Sequence, residues 1–555
     1  MLSPLAAFYK AVEEQPNRAY LRQPINGEYQ ELTWSQVEVL ARNMAHQLTQ
    51  LGINKGDKVA LWSKNCAQWI MADLAIMMAG AVSVPLYPGQ SKNNVHYVLE
   101  HSEAKILFVG KHDNDQDVIN SIPDGFTTIG FPFYSGDVNY QWDDLVNKPA
   151  SADFKSHMAE LDEVMTLVYT SGTTGQPKGA VHTHRAFAFA ANNFVEQVGI
   201  KSTDRAISFL PLAHVAERMI VEGQSFYGWF SISFVESLDS FADNIVSVKP
   251  TLFFAVPRLW SKFQEGILGK VGGQKKLDTL LRIPLISGLI KKKIKKGLGL
   301  DKARLCGCGA SPMPQALLEW FDQIDLPVME GYGMTENLCY GTLSLPGQRS
   351  IGAVGKAFFQ NHLKISEQGE ILFKSPALMQ GYYKDAEKTQ EAFLDGYYRT
   401  GDKGEVDAQG FLRITGRVKE LFKTTKGKYI APAPIEGLIV SHEAIEQACV
   451  MGSGRNQPLA VIELSETARN LPKPEVTAAL EAHLAAINTQ LEHHERLDCL
   501  VLTQLPWTVE SNLITPTLKV RRDSVEGRYL ELAQEGAKGI IWGPEEEEQK
   551  SHQAA

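Results

Sequence analysis

Twice along this chain short apolar runs alternate with longer stretches of helical spacing, and that rhythm restricts the fold more than any other feature. Residues 35–53 (SQVEVLARNMAHQLTQLGI) repeat apolar positions at helical intervals and stop near Gly52. Residues 58–63 (KVALWS) read as a short strand, 69–78 as a helix and 81–87 (AVSVPLY) as another strand. The rhythm returns at 164–257, where MTLVYT, AISFLP and TLFFAVP look like strands between helical stretches. Such alternation predicts parallel sheets wound by helices on both faces. Ligands of such folds collect at the carboxyl ends of the strands.

From about Gly352 the texture changes to shorter strands and turns, as in HLKISEQGEILFKS and GEVDAQGFLRITGR. The expected fold class is therefore α/β. A large N-terminal domain, residues 1–417, carries two doubly wound sheets and a small antiparallel β subdomain at about 352–417. A small α+β domain follows at 418–543. The acidic end, 544–555, reads as a solvated, disordered tail. A chain of 555 residues exceeds what one hydrophobic core organises, which agrees with this division.

Net charge and cysteine usage exclude some classes. A formal charge of -9 argues against a nucleic-acid partner, whose footprint is a basic surplus. Six cysteines are too sparse for a disulfide framework, so the compartment is read as reducing and cytoplasmic. Cys306 and Cys308 form a CxC without a second ligand pair, and are read as small residues of a Gly-rich turn rather than zinc ligands. No signal peptide is evident in MLSPLAAFYKAVEEQ. The most membrane-like run, 69–87, is interrupted by Asp73, Gly80 and Pro85, so it reads as a buried helix entering a strand.

The richest stretch for chemistry is TLVYTSGTTGQPKGAVHTH, beginning at Thr166. An expected strand enters a loop of Ser, Thr and Gly, then Lys178, then an expected helix. Glycines let backbone amides approach phosphate oxygens, hydroxyls add hydrogen bonds, and the lysine supplies charge. It is not a Walker A loop, because Pro177 precedes Lys178 and Gly179 follows it. No HRD or DFG set accompanies it, which excludes protein kinases.

YTSGTTGQPKG resembles the signature of the adenylate-forming superfamily, which contains acyl-CoA synthetases, peptide-synthetase adenylation domains and firefly luciferase. The resemblance extends over nearly the whole chain: FLPLAHVAER, GYGMTE, YYRTGD, GRVKELFKTTKGKYIAPAPIE and LITPTLKVRR follow in the family's order. It implies that Thr170, Ser171, Gly172, Thr173, Thr174, Gly175 and Lys178 hold the β- and γ-phosphates of ATP. Thr335 would contact the α-phosphate and Glu336 would hold Mg²⁺, a hard cation that takes oxygen ligands. Gly309, Ala310 and Ser311 would lie along adenine, with Tyr332 on its face and Gly333 beside it. Asp402 would accept both ribose hydroxyls, and Arg417 would stand near ribose and phosphates.

The family's small domain is mobile. It brings Lys519 to the carboxylate and α-phosphate, then rotates so that Lys426, Gly427, Lys428 and Tyr429 help form a channel for coenzyme A. Gly427 would permit the tight hairpin this needs. The hinge is assigned to Gly416 through Lys419, since Gly416 stands where many relatives carry Asp.

Within the superfamily, FLPLAHVAER, AVPRLW and IKKKIKKGLGLDKARLCGCGASPMP are most similar to long-chain fatty acyl-CoA synthetases. His214 matches a residue beside the substrate carboxylate, with a satisfied core histidine as the other reading. Phe226 and Trp229, in an apolar run, either line an acyl tunnel or belong to a plain buried strand. Residues 291–296 (KKKIKK) suit an anionic lipid surface or a solvated helix face. The substrates implied are a fatty acid, ATP and coenzyme A, with Mg²⁺. Peripheral contact with an anionic membrane and a homodimer are both compatible with this reading. Rival functions are a ligase that stops at acyl-adenylate or acylates a carrier protein, an oxidative adenylate-former, and a non-catalytic lipid-binding relative.

Overall fold

The computed structural model describes residues 1–170, 176–509, 511–515 and 519–544. The alternation seen in the sequence builds two large sheets. At the centre of one, Lys58–Trp62 pairs in parallel with Val82–Leu86 on one side and Ala104–Val109 on the other. Val164–Thr170 extends it in parallel beside Val82–Leu86. In the other, Arg205–Ser208, Leu252–Ala255, Leu305–Cys308 and Val328–Tyr332 lie side by side in parallel. All five residues of Val82–Leu86 are buried, as expected of a strand covered on both faces. Both sheets are mixed, with antiparallel strands at their ends.

The helix expected at 35–53 runs from Trp34 to Gln50. Thr33 starts it with a reciprocal cap: its Oγ1 accepts from Gln36 N at 3.3 Å, and Gln36 Oε1 accepts from Thr33 N at 2.8 Å. Gly52, at φ +89°, turns the chain away just beyond its end. Ala67–Met78 is the membrane-like segment. Every residue except Gln68 is buried, so its hydropathy reflects a helix enclosed on all sides. Each large apolar side chain there contributes about 1.5–3 kcal/mol. Among the described residues no helix is long and apolar enough to cross a membrane.

A smaller antiparallel sheet combines Leu363–Ile365, Glu370–Phe373, Phe393–Leu394, Tyr397–Val406 and Leu412–Arg417. Beyond it stands a four-stranded mixed sheet of Ile445–Met451, Leu459–Leu464, Cys499–Thr503 and Gly539–Trp542. Its strands alternate: Ala448 and Val450 face the helices Pro432–Ile439 and Lys473–Gln490, whereas Cys449 and Met451 face Trp507 and the helix Arg522–Tyr529.

Two local expectations were wrong. Lys178 does not lead into a helix. It opens the strand Lys178–Thr183, which folds back antiparallel on Val164–Thr170, and the helix begins only at His184. Cys306 and Cys308 lie in the strand Leu305–Cys308, not in a turn, and burial pushes the Cys306 thiol up to about 12. Among the described residues no three metal-ligating side chains converge. Residues 545–555 of the expected tail lie outside the described residues.

Candidate active site

A cavity of about 1150 Å³ opens beyond the carboxyl ends of the second sheet's parallel strands and runs back along them. That is large against the roughly 300–1,000 Å³ of most ligand sites. Its outer part is polar and its inner part apolar.

The hairpin of Val164–Thr170 and Lys178–Thr183 carries one wall, with Thr170 opposite Lys178 in register. Ser171 through Gly175, the centre of the expected phosphate loop, lie outside the described residues. Lys178 Nζ sits 5.1 Å from the ring centroid of Tyr382. Burial and the nearby Lys388 lower its pKa, while Asp385 and Glu336 oppose that shift.

Opposite, Val328–Tyr332 ends in a short 3-10 turn, Thr335–Asn337. Asn337 Oδ1 accepts from Met334 N at 2.9 Å and holds the turn. Gly333 is required there: an added Cβ would lie 2.5 Å from Cys339 Cα, a backbone atom that cannot step aside. The turn presents Thr335 and Glu336 to the cavity, and Tyr382 donates to Glu336 Oε1 at 2.7 Å. Glu336 keeps its second oxygen free of that bond. One carboxylate oxygen beside phosphate oxygens suits Mg²⁺, which binds through one or two carboxylates plus substrate phosphates.

Gly309, Ala310 and Ser311 follow the strand Leu305–Cys308 and form a wall without bulky side chains. Ala310 has φ +68°, and a Cβ on Gly309 would stand 3.2 Å from Gly331 O, so two backbones nearly touch. Tyr332 faces the same space, and its hydroxyl donates to Asp402 Oδ2 at 2.5 Å. Asp402 Oδ1 accepts from Arg417 Nε at 2.9 Å. The two residues are register partners on adjacent strands of the small sheet, which fixes this pairing.

Lys519 reaches the same cavity from the C-terminal segment. It is exposed to that open space, yet crowded enough that burial, with Arg417, lowers its pKa; Glu336 and Asp402 raise it. His214 stands at the junction of the polar and apolar parts. Its Nδ1 accepts from Ala216 N at 3.1 Å, capping a helical turn, so the ring proton sits on Nε2. Burial, then Lys519, push its pKa down to about 4, leaving a neutral imidazole.

The inner part lies between the helix His184–Val198, the helical segment after His214, and the sheet. Phe194, Val198, Ile220, Val221, Leu252 and Leu305 line it. Phe226 and Trp229 do not. Phe226 is fully buried against Phe8, with ring centroids 6.1 Å apart, and Trp229 turns outward beneath Lys10. Helical periodicity carries Phe226 to the opposite side from Gln224 and Val221, away from the cavity.

Lys426, Gly427, Lys428 and Tyr429 are not brought to the cavity. They form the tip of a hairpin between Phe422–Lys423 and Tyr429–Ile430, with Gly427 at φ +73°. Tyr429 is exposed there, under Lys423 Nζ at 4.7 Å.

Several residues of the site were not singled out from the sequence. Tyr382 and Tyr398 line the cavity with Lys178 and Glu336; Tyr398 lies within YYRTGD, whereas no quoted motif contains Tyr382. Beneath the cavity, Arg218 is buried and donates to Asp73 Oδ2 at 2.5 Å, Thr166 Oγ1 at 2.7 Å, Ser83 Oγ at 2.9 Å and Glu222 Oε2 at 3.1 Å. Burial and Asp73 push the Glu222 carboxyl well up beside the Arg218–Asp73 pair. Glu217, also buried, has its pKa raised to about 8 by burial, against a 2.8 Å bond from Ser208 Oγ and a 3.1 Å bond from Phe209 N. The sequence FLPLAHVAER contains both, as a signal that could have found them.

A polar bay that meets the mouth of an apolar slot agrees with an adenylate-forming enzyme. Homology leads to the same class. The model described as "AMP-binding enzyme" matches residues 8–383, and the one described as "AMP-binding enzyme C-terminal domain" matches 420–534; the chain belongs to this family. It is 28% identical to the long-chain-fatty-acid–CoA ligase FadD15 of Mycobacterium bovis over 94% of this chain and 95% of that protein. It is 27% identical to fatty acyl-CoA synthetase A of Dictyostelium discoideum, over 91% and 85% respectively. The fold also matches the anthranilate CoA ligase AuaEII in complex with anthranoyl-AMP, with TM-score 0.77 and 20% identity over 95% of this chain and 97% of that one.

Proposed function

We propose that this protein is a fatty acid–CoA ligase, which joins a fatty carboxylate to AMP with release of pyrophosphate and then to coenzyme A as a thioester. The observation that carries the reading is the depth of the apolar slot. It is lined from Gly309, beyond the carboxyl end of its strand, back to Leu305 at the opposite end. Four residues at about 3.3 Å each make this about 13 Å, longer than a single aromatic ring requires, and the inner lining is apolar apart from Gln224 and the buried Glu217. The two curated relatives above, FadD15 and fatty acyl-CoA synthetase A, are named for fatty acids, which supports the reading, whereas the structural neighbour AuaEII is named for anthranilate.

In the first step a carboxylate oxygen attacks the α-phosphorus, a new P–O bond forms, and the bond to pyrophosphate breaks. We assign His214 Nε2–H and Lys519 to hold the carboxylate at the head of the slot. Thr170 and Lys178, with residues 171–175, take the β- and γ-phosphates, and Thr335 takes the α-phosphate. Gly309, Ala310, Ser311 and Tyr332 form the adenine wall; Asp402 and Arg417 face the ribose. Mg²⁺ bound at Glu336 would supply charge neutralisation on the polyphosphate. Their shared contribution is positioning two anions and screening their repulsion.

For the second step the C-terminal domain, beginning at 418, rotates on the hinge 416–419. The ion pair between Arg258 and Glu446 then breaks, and the hairpin at Lys426–Tyr429 swings toward a channel for coenzyme A. A panel of carboxylic acids of graded length plus benzoates, scored by AMP formation with and without coenzyme A, tests the proposal. Fatty acids should lead, and coenzyme A should be consumed. Preference for benzoates would overturn the fatty-acid assignment, and acyl-AMP accumulating unchanged with coenzyme A present would overturn the acceptor.

A further inference from the structure

The apolar slot holds one polar side chain that no other described residue hydrogen-bonds. Gln224 is only 5% exposed and lines the cavity, and among the described residues none hydrogen-bonds its amide. Its neighbours differ: Glu222 binds Arg218, and Ser225 Oγ meets Tyr20 OH at 2.8 Å. Nor is the amide sealed in the core like the orphaned Trp69 Nε1; it keeps surface on the cavity. The helix Gln224–Gly228 abuts Ile200, since a Cβ on Gly228 would lie 2.6 Å from Ile200 Cγ2. Ile200 also lines the cavity, and Gln224, one turn before Gly228, opens on the same inner end.

A buried amide loses its hydrogen bonds to water unless a ligand replaces them. Ten residues of helix, six of them the π-helical Arg218–Gly223, separate it from His214, at most about 15 Å at the ~1.5 Å per residue of an α-helix. Helical side chains lean toward the N-terminus, which shortens that reach. An extended carbon chain with bonds of ~1.5 Å advances about 1.25 Å per carbon. We propose that Gln224 is a specificity residue that hydrogen-bonds an oxygen substituent, hydroxyl or carbonyl, about ten to twelve carbons from the carboxylate of the substrate acid. This deepens the fatty-acid reading above and rests on it.

The test compares 12-hydroxydodecanoic and dodecanoic acids in ATP–pyrophosphate exchange, with wild type, Gln224→Met and Gln224→Leu. Methionine keeps the shape of the side chain, so at least one folded variant is secured. Wild type should favour the hydroxy acid by about five- to tenfold in kcat/KM, the worth of one hydrogen bond. Both variants should lose that preference while retaining activity on the unsubstituted acid. An equal ratio in wild type and variants, as when a water serves the amide, would overturn the proposal. Exchange with benzoates but neither fatty acid would instead remove the parent reading, and this proposal with it.

Discussion

Replacing Arg218 with methionine strips a buried cation from four partners at once. Its guanidinium is 1% exposed and bonds Asp73, Thr166, Ser83 and Glu222. Three of these lie on elements that support the site: the helix Ala67–Met78, the strand Val82–Leu86 and the strand Val164–Thr170 that ends at the phosphate hairpin. Removing one member of a buried pair leaves the other charge uncompensated, at a cost of about 3–5 kcal/mol. That is a large share of the 5–15 kcal/mol that holds a typical domain folded. Arg218→Met should therefore lower Tm by about 5–10 °C in differential scanning fluorimetry, and Arg218→Met with Asp73→Asn should recover more than half of the loss. If the single variant melts within 1–2 °C of wild type, or the double variant melts below the single one, the Arg218–Asp73 pair is not what holds the cluster.

Three further outcomes follow from the site. Lys519→Ala should slow acyl-adenylate formation about 10²- to 10³-fold, while thioester formation from supplied acyl-AMP is spared; equal loss of both half-reactions would contradict its placement. Gly333→Ala forces a Cβ within 2.5 Å of Cys339 Cα, so isothermal titration should show AMP affinity reduced at least tenfold, and unchanged affinity would mean the turn relaxes freely. Glu217, with its folded pKa about 8 against a lower unfolded value, favours the folded state only while protonated. Its contribution is complete below the unfolded pKa and is lost as pH rises toward 8, at up to about 1.4 kcal/mol per unit. Urea unfolding from pH 5 to 8 should show this slope in wild type and a flatter one in Glu217→Gln.

How far residues could be read in advance depended on whether their partners lie nearby in the chain. The helix Trp34–Gln50 was legible because its cap, periodicity and terminal glycine all fall within twenty residues. Phe226 was misread because an aromatic run states burial without stating on which side of a helix each ring falls. The helix expected after Lys178 failed because Lys178–Thr183 satisfies its backbone groups by pairing with Val164–Thr170, a strand pairing that helical periodicity does not encode.

The amino-acid sequence alone determined the α/β class and the kinds of group available to the chemistry: a Gly/Ser/Thr loop with Lys178, Glu336 on a turn, Asp402, Arg417 and Lys519 in ordered motifs. These are contiguous strings, and local periodicity and composition specify them. Only the tertiary structure decided that Tyr382 meets Glu336, that Arg218 ties three supporting elements together, and that an apolar slot ends at Gln224. Those features arise where segments about 50 to 150 residues apart pack, and a cavity is what packing leaves unfilled. Its shape depends on all its walls together, so no single stretch of chain records it.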